Sequence, residues 1–361
     1  MRPTPRIAMI SASIGAGHDQ AADQLTTALV ARGCAVTRHD FLDLLPARAG
    51  HGLAQLYAAQ LRTAPGSWGA LVGTLRRPSL ARVTGNAVAR AAAPGLLRAL
   101  TGDEDLVVST FPFASQALGQ LRAAGRLASP VVTFLCDPSV HPLWVSAGVE
   151  THMAVDTVAA AQAHRLGARG IVVCAPAVGA GFRPGTEAEK RAARARWGLP
   201  DGPIALVVGG SWGAGALAQT ARDIAATGLA TPVTVCGRNT RLHRRLVADG
   251  PGITLGWVGD MAELLRAADV VVHNAGGMTC WEAIAAGVPL LAYRALPGHG
   301  TANAAALEQA GLSAWCRDRA DLRAALRDPR PFPPQPVTAP RPADALTRLL
   351  GAPAADLAPA A

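Results

Sequence analysis

The segment from His273 to Asn303, HNAGGMTCWEAIAAGVPLLAYRALPGHGTAN, constrains the chain most, because it joins a glycine turn to a helix and a buried strand in one run. The residues before it, Asp269 to Val272 (DVVV), form a short β-branched stretch that predicts a buried parallel strand. Ala275-Gly276-Gly277 then turns the chain tightly, and Thr279 to Ala286 follows as a helix. Gly287-Val288-Pro289 ends that helix, and Leu290 to Tyr293 returns to the sheet. Glycines beside a helix N-terminus leave unpaired backbone N–H groups aimed at one spot, where the helix dipole also favours negative charge. A diphosphate is the natural occupant. Glu282, three residues past Thr279, shares its helical face, which puts a carboxylate within reach of ribose hydroxyls beside that phosphate.

This order of parts resembles the donor half of a GT-B glycosyltransferase. More narrowly it is similar to the family that holds monogalactosyldiacylglycerol synthase and the N-acetylglucosaminyltransferase completing the peptidoglycan lipid precursor. The residues that carry the resemblance are Ala275, Gly276, Gly277, Thr279, Glu282, Gly287, Pro289 and Asn303, with Met278 inside the block. It implies an α/β chain of two Rossmann-like domains whose parallel sheets face a cleft, with a UDP-sugar gripped by the second domain. Ordinary strand-to-helix packing is the competing reading of the same glycines.

Composition permits this reading without demanding it. A chain of 361 residues predicts two domains of ordinary size. Half the residues are hydrophobic, yet no apolar run approaches the roughly 20 residues of a membrane span. The sequence begins with a basic tip that passes into a strand and a glycine turn, without a signal-peptide cleavage region. The 6 cysteines are scattered singly, mostly in apolar strands, and read as reduced core residues. The expectation is a cytoplasmic protein, peripherally associated with the inner face of the plasma membrane.

The formal net charge of +9 comes almost wholly from arginine, since Lys190 is the sole lysine. Its placement matters more than its size. No acidic residue lies between Asp43 and Asp103, a stretch that holds Arg48, Arg62, Arg76, Arg77, Arg82, Arg90 and Arg98 among Leu53, Leu56, Tyr57, Trp68 and Leu75. Basic residues mixed with apolar and aromatic ones suit an anionic membrane surface, with Arg62, Trp68, Arg76 and Arg77 as the contacts, although a solvated face over a buried stripe has the same pattern. No nucleic-acid module accompanies the charge, so no nucleic acid is expected.

A second glycine loop opens the chain. Arg6 to Ser11 predicts the first strand, Ala12 to Gly17 a loop, and His18 to Arg32 a helix. A nicotinamide-binding reading would use Asp40, after the strand Ala35 to Arg38, as its ribose carboxylate, but Gln20 stands where the third glycine belongs. The absence of Gly-Lys-Ser/Thr excludes a P-loop. SASIGAGH also resembles the loop ending in His that opens the same glycosyltransferase family. That resemblance makes Gly15 and Gly17 acceptor contacts and His18 the general base or an acceptor ligand. An imidazole at a helix N-terminus is biased toward its neutral form and is able to take a hydroxyl proton. A capping histidine is the plainer alternative.

Pro130 to Cys136 reads as another buried strand, followed by Asp137 and, four residues on, His141-Pro-Leu-Trp144. Ligands of open α/β sheets gather at the carboxyl ends of strands, which is where Asp137 falls. The spacing is similar to the D-x-x-x-H-P-x-W segment of the galactolipid synthases. It implies Asp137 as a second candidate base or the group that orients His18, with His141 and Trp144 shaping the acceptor pocket. A turn initiator at Asp137-Pro138 is the alternative. No third ligand completes a metal site with Asp137 and His141, and no metal or cofactor beyond the UDP-sugar is expected.

The expected organisation is an acceptor and membrane-side domain over residues 1–178, a hinge at 179–185, a donor domain over 186–328, and a Pro-rich tail with one short helix from Ala343 to Leu350. In the donor domain Glu187 to Trp197 predicts a helix and Ile204 to Val208 a strand, followed by the glycine loop Gly209-Gly210-Ser211-Trp212-Gly213-Ala214-Gly215. By resemblance that loop faces the donor diphosphate. Arg238 and Asn239, after the strand Val233 to Cys236, then border the nucleotide, while the Val258 backbone lies near the uracil and Met261 joins the donor-binding set.

Together these features predict an inverting, metal-independent transferase that moves a hexose from a UDP-sugar to a lipid hydroxyl, diacylglycerol being the favoured acceptor type. One departure concerns the sugar. The relatives carry Gln or Gln-Glu in the loop before the closing Asn, where this chain has His299 and Gly300, so the sugar is left open. A soluble enzyme acting on a natural product, a UDP-sugar 2-epimerase and a non-catalytic UDP-sugar-binding protein are the alternatives.

Overall fold

The computed structural model describes residues 4–52, 55, 78–329 and 339–351. It divides into two compact units: one runs through Ala177 and takes in the C-terminal helix, and the other begins at Val178.

In the first unit β1 (Arg6–Ser11) is followed by helix α1 (Gly17–Val30), β2 (Ala35–Asp40), α2 (Pro78–Ala99), β3 (Leu106–Ser109), α3 (Pro112–Ala123), β4 (Val131–Leu135), β5 (Thr151–Ala154), α4 (Thr157–Arg165) and β6 (Ile171–Val173). Short 3-10 turns cover Pro46–Arg48 and Pro142–Trp144. The 6 strands are ordered β2-β1-β3-β4-β5-β6, and every described pairing is parallel. β3 and β4 are buried at every position, as expected for strands covered on both faces by helices.

The second unit holds α5 (Glu187–Trp197), β7 (Ile204–Val208), α6 (Leu217–Ala225), β8 (Thr231–Val235), α7 (Thr240–Asp249), β9 (Ile253–Leu255), α8 (Met261–Ala267), β10 (Val270–His273), α9 (Met278–Ala285), β11 (Leu290–Tyr293), α10 (His299–Gln309), β12 (Ala314–Cys316) and α11 (Arg319–Arg327). Its 6 strands lie in the order β12-β11-β10-β7-β8-β9, all parallel. The last helix, α12 (Pro342–Gly351), returns to the first unit, where Asp344 accepts from Arg32 Nε at 2.8 Å.

The two-sheet α/β fold expected from the sequence is therefore the one observed. Among the described residues, a difference of type concerns His299 and Asn303, read as a loop and found in the first two turns of α10. The pattern missed this because Gly298 and Gly300 punctuate the start of the helix. Its N-cap, Gly298, has φ +83°, a conformation that suits glycine.

In an open parallel sheet the connections leave in opposite directions at one point, and the strand ends diverge there into a crevice. That point falls between β1 and β3 in the first unit and between β7 and β10 in the second. The loops after β1, β7 and β10 are ones that the sequence marked, whereas the loop after β3 is not.

Candidate functional site

At the β7/β10 switch point two loops meet. The carbonyl of Ala214 accepts from Asn274 Nδ2 at 2.7 Å, which ties the Gly209–Gly215 loop to the turn after β10. Gly215 has φ +84°, and a Cβ there would lie 2.7 Å from the same Asn274 nitrogen, so only glycine fits. Next in the chain, Ala275 is a non-glycine residue with φ +68°. Such a conformation persists where neighbours over-determine it. Here its N–H donates to His273 Nδ1 and its carbonyl accepts from Asn303 Nδ2, each at 3.1 Å. Asn303 Nδ2 is also 3.1 Å from His299 Nε2, so α10 presents both residues to this turn. Over Gly276, a Cβ would meet nothing within 4 Å, which leaves the backbone open to close approach by a ligand.

The helices at this point lack side-chain caps. Gly277 before α9, Ala216 before α6 and Gly298 before α10 make no side-chain cap bond. Elsewhere in the unit the caps are filled: Thr186 forms a capping box with Glu189, Asn239 caps Leu242, Asp260 caps Glu263 and Asp318 caps Asp321. Uncapped N–H groups therefore gather where the two glycine loops meet, a constellation suited to an anion.

The other predicted donor residues line the same edge of the sheet. Arg238 N–H donates to the Ser211 carbonyl at 2.9 Å, and the Arg238 guanidinium lies 4.7 Å over the Trp257 ring. Gly237, at φ +57°, allows the Ser211 backbone this close approach. Asn239 uses both ends of its amide on the fold, accepting from Leu242 N–H at 3.0 Å and donating to the Gly213 carbonyl at 3.1 Å. Gly209 and Gly210 form the loop entrance, Val258 is buried, and Met261 opens α8. In α9 Met278 and Glu282 are buried, and Thr279 is half-buried. His273, whose importance the sequence did not signal, is fully buried, and burial holds its pKa down to about 3. A neutral imidazole is thus available as the acceptor that fixes Ala275.

The first unit's switch point is built instead from side chains. His18 is the second residue of α1, and its Nδ1 donates to the Thr110 carbonyl at 2.8 Å, beyond the end of β3. Thr110 Oγ1 returns a bond to the His18 carbonyl at 3.0 Å. Since a carbonyl only accepts, the proton sits on Nδ1 and the lone pair of a neutral ring on Nε2. Cys136 Sγ is 3.3 Å from the same Nδ1, and burial together with the Asp137 charge keeps its thiol protonated. Asp137 is buried immediately beyond it. The His18 ring meets Phe111 edge-on at 5.2 Å and Trp144 at 5.9 Å, and Trp144 in turn lies 6.2 Å from His141. Sequence order alone did not offer Thr110 or Phe111 as neighbours.

The glycine loop beside His18 is held from beneath. Asp19 accepts from Ser11 Oγ at 2.6 Å and Ser13 Oγ at 2.8 Å, and Gly15 turns with φ +76° before Gly17 starts the helix. Asp40, the candidate ribose carboxylate of the nicotinamide reading, accepts from Leu42 N–H at 2.9 Å and stabilises the turn after β2. The residues predicted for membrane contact, Arg62, Trp68, Arg76 and Arg77, lie outside the described residues. Among the described residues no cluster of metal-binding side chains occurs and no helix is long and apolar enough to cross a membrane.

Comparison with known proteins finds matches over both units. The glycosyltransferase family 28 C-terminal domain matches residues 204–328, and the monogalactosyldiacylglycerol (MGDG) synthase family matches residues 18–173. The processive diacylglycerol beta-glucosyltransferase of Bacillus licheniformis is 25% identical over 218 residues, covering 57% of this chain and 55% of its own. That of Bacillus thuringiensis is 27% identical over 227 residues, with 60% and 58% covered. The chain thus spans a little over half the length of the curated relatives it matches. Among solved structures, Acinetobacter baumannii MurG superposes with a TM-score of 0.56 at 19% identity over 97% of this chain and 99% of its own. Anabaena HepE in complex with UDP and glucose gives 0.53 at 14% identity, covering 89% of each. The fold is that of a GT-B glycosyltransferase, and two family models match successive stretches of it, the MGDG synthase family in the first unit and the glycosyltransferase family 28 C-terminal domain in the second.

Proposed function

We propose that this chain transfers a hexosyl group from a UDP-sugar to a lipid hydroxyl, diacylglycerol being the acceptor type that the relatives' names favour. The observation that carries the reading is the meeting of two glycine loops at the β7/β10 switch point, bonded through Asn274 and ringed by three helix starts without side-chain caps. There the UDP diphosphate is taken by backbone N–H groups of the Gly209–Gly215 loop and of Gly276, Gly277 and Met278. Glu282 and Thr279 serve the ribose, Arg238 the diphosphate charge, and Val258 and Met261 the uracil. His299 and Asn303 face the sugar.

The acceptor is handled by the first unit. His18 Nε2 takes the hydroxyl proton as the acceptor oxygen forms its bond to the anomeric carbon. The bond from that carbon to the UDP oxygen breaks, and its electron pair leaves with the diphosphate. Attack opposite the leaving group inverts the anomeric configuration. The Thr110 carbonyl keeps the ring in the required tautomer and stabilises the imidazolium that forms, while Asp137 orients the acceptor or shares the proton. Uncapped N–H groups and Arg238 stabilise the departing diphosphate, a task that needs no metal in this reading. Gly15, Gly17, His141 and Trp144 enclose the acceptor head. Association with an anionic membrane surface on the cytoplasmic side belongs to the same proposal.

The test is a mass-spectrometric screen of UDP-sugars with diacylglycerol and with total lipid extract. Formation of a hexosyl lipid together with UDP is expected. Epimerisation of the donor without any acceptor would replace this reading with a 2-epimerase.

A further inference from the structure

An apolar cavity of about 270 Å³ lies in the first unit, lined by Ile14, Phe41, Leu45, Val88, Phe111 and Phe113 together with the small side chains Ala87 and Ala91 of α2. Among the described residues that line it, none brings a charged or hydrogen-bonding side chain into it. Its walls are placed by close backbone packing: a Cβ on Gly95 of α2 would run into the Leu44 carbonyl, so glycine lets the turn after β2 press against that helix. The cavity begins one ring away from the proposed base. Phe111 stands edge-on to His18 at 5.2 Å and contacts Phe41 at 5.6 Å and Phe113 at 5.8 Å, both cavity residues. Ile14 belongs to the glycine loop that ends in His18.

The outside of α2 continues the apolar path. Leu80, Val83, Ala87 and Ala91 recur at helical spacing, so they form one stripe along the helix. Leu80 is 42% and Val83 64% exposed, and Ala87 and Ala91 form the cavity rim, so the stripe is apolar from solvent to cavity. Arg90, exposed, flanks the stripe, Arg82 is exposed on another side of the helix, and no acidic residue occurs anywhere in α2. Exposed aliphatic groups among cations match a surface of anionic lipid, from which one chain can pass along the stripe to the cavity.

We propose that this cavity is an acyl-chain slot: it takes one aliphatic chain of the acceptor, so that the hydroxyl of the lipid's head is presented to His18 around Phe111. The inference rests on the lipid-acceptor reading and adds the place where the chain is held. Apolar cavities of about 150 Å³ stay dry and accept a molecule of benzene's size, so the present volume has room for a longer aliphatic segment. Each buried methylene contributes about fourfold in affinity. Selectivity for chain length then follows from where the slot ends.

The experiment measures binding of n-alkanols from hexanol to dodecanol to the full chain without donor, by displacement of a fluorescent decyl probe. Affinity is expected to rise about fourfold per methylene and to level off once the slot is full. Ala91→Trp, which fills the rim, should flatten that dependence, and the melting shift given by UDP at the other unit should persist as a check of folding. Val88→Thr, nearly the same shape, places a hydroxyl in the slot and should weaken binding several-fold while keeping the dependence on length. Alkanol binding without dependence on length, or an equal gain per methylene in Ala91→Trp, would overturn the slot. Because the assay needs no transfer, the two ideas fail separately: lipid glycosylation with no alkanol binding sinks only the slot, and alkanol binding with no lipid product from any UDP-sugar sinks the reading beneath it.

Discussion

The two switch points occupy the same place in two similar sheets, yet they are made of different matter. In the second unit the site is mostly backbone: glycine loops, an Ala275 held at positive φ, and helix starts without caps. The first unit answers with side chains, an imidazole on a backbone carbonyl among Phe111, Trp144 and a buried thiol. The difference teaches a division of labour. Backbone N–H groups cannot change protonation state, so they suit recognition of a fixed diphosphate. An imidazole with a defined tautomer suits proton transfer.

Four experiments bear on that contrast, and the first has the largest expected effect. His18→Ala should lower the transfer rate by about 10²–10⁴-fold while UDP affinity is unchanged, as measured by initial rates beside calorimetric titration. Equal losses in both would erase the distinction between the units. Gly215→Ala, the mirror experiment, should weaken UDP binding about tenfold or more, because the new methyl meets Asn274 and the backbone there has φ +84°. Undiminished UDP binding in that variant would remove the loop from the donor site.

A third effect concerns acid. Folded His273 has its pKa lowered from 6.5 to about 3, so as pH falls below 6.5 the unfolded chain takes up a proton that the folded one refuses. Stability of the second unit should be fully present above 6.5 and decline by up to about 1.4 kcal/mol per pH unit on the way down to 3. Denaturation midpoints of the wild type and His273→Gln between pH 7 and pH 4 would test this; the variant should lose most of the slope. The smallest effect is Asn239→Ala, which removes the cap of α7 and the tie to the Gly213 carbonyl. It should cost about 1 kcal/mol by denaturant unfolding and loosen UDP binding only slightly.

Much of the second unit was legible in sequence, for a physical reason. Backbone sites advertise themselves through glycine, since only a few residue types tolerate the required turns, and so Gly209 to Gly215 and Ala275 to Gly277 stood out. The β-branched runs before them placed β7 and β10 within a residue of their observed bounds. Side-chain sites are less visible, because partners come from distant strands. His18 was identifiable from its loop, but Thr110, 92 positions away, carries nothing in its own neighbourhood that points to His18. The positive φ of Ala275 was equally hidden, being imposed by His273 and Asn303 and not by its own residue type. Asn303 was marked as the end of a loop, and the two glycines around His299 concealed that it lies in a helix.

The central claim is that the backbone site supplies a hexose which the side-chain site helps to move. The most direct measurement incubates the protein with each of several UDP-sugars and diacylglycerol vesicles and follows UDP and lipid by mass spectrometry. The account predicts UDP and a mono-hexosyl lipid in equal amounts, from at least one donor and with the anomeric configuration inverted. Donor left intact in every case, or UDP released with no sugar on the lipid, would contradict it.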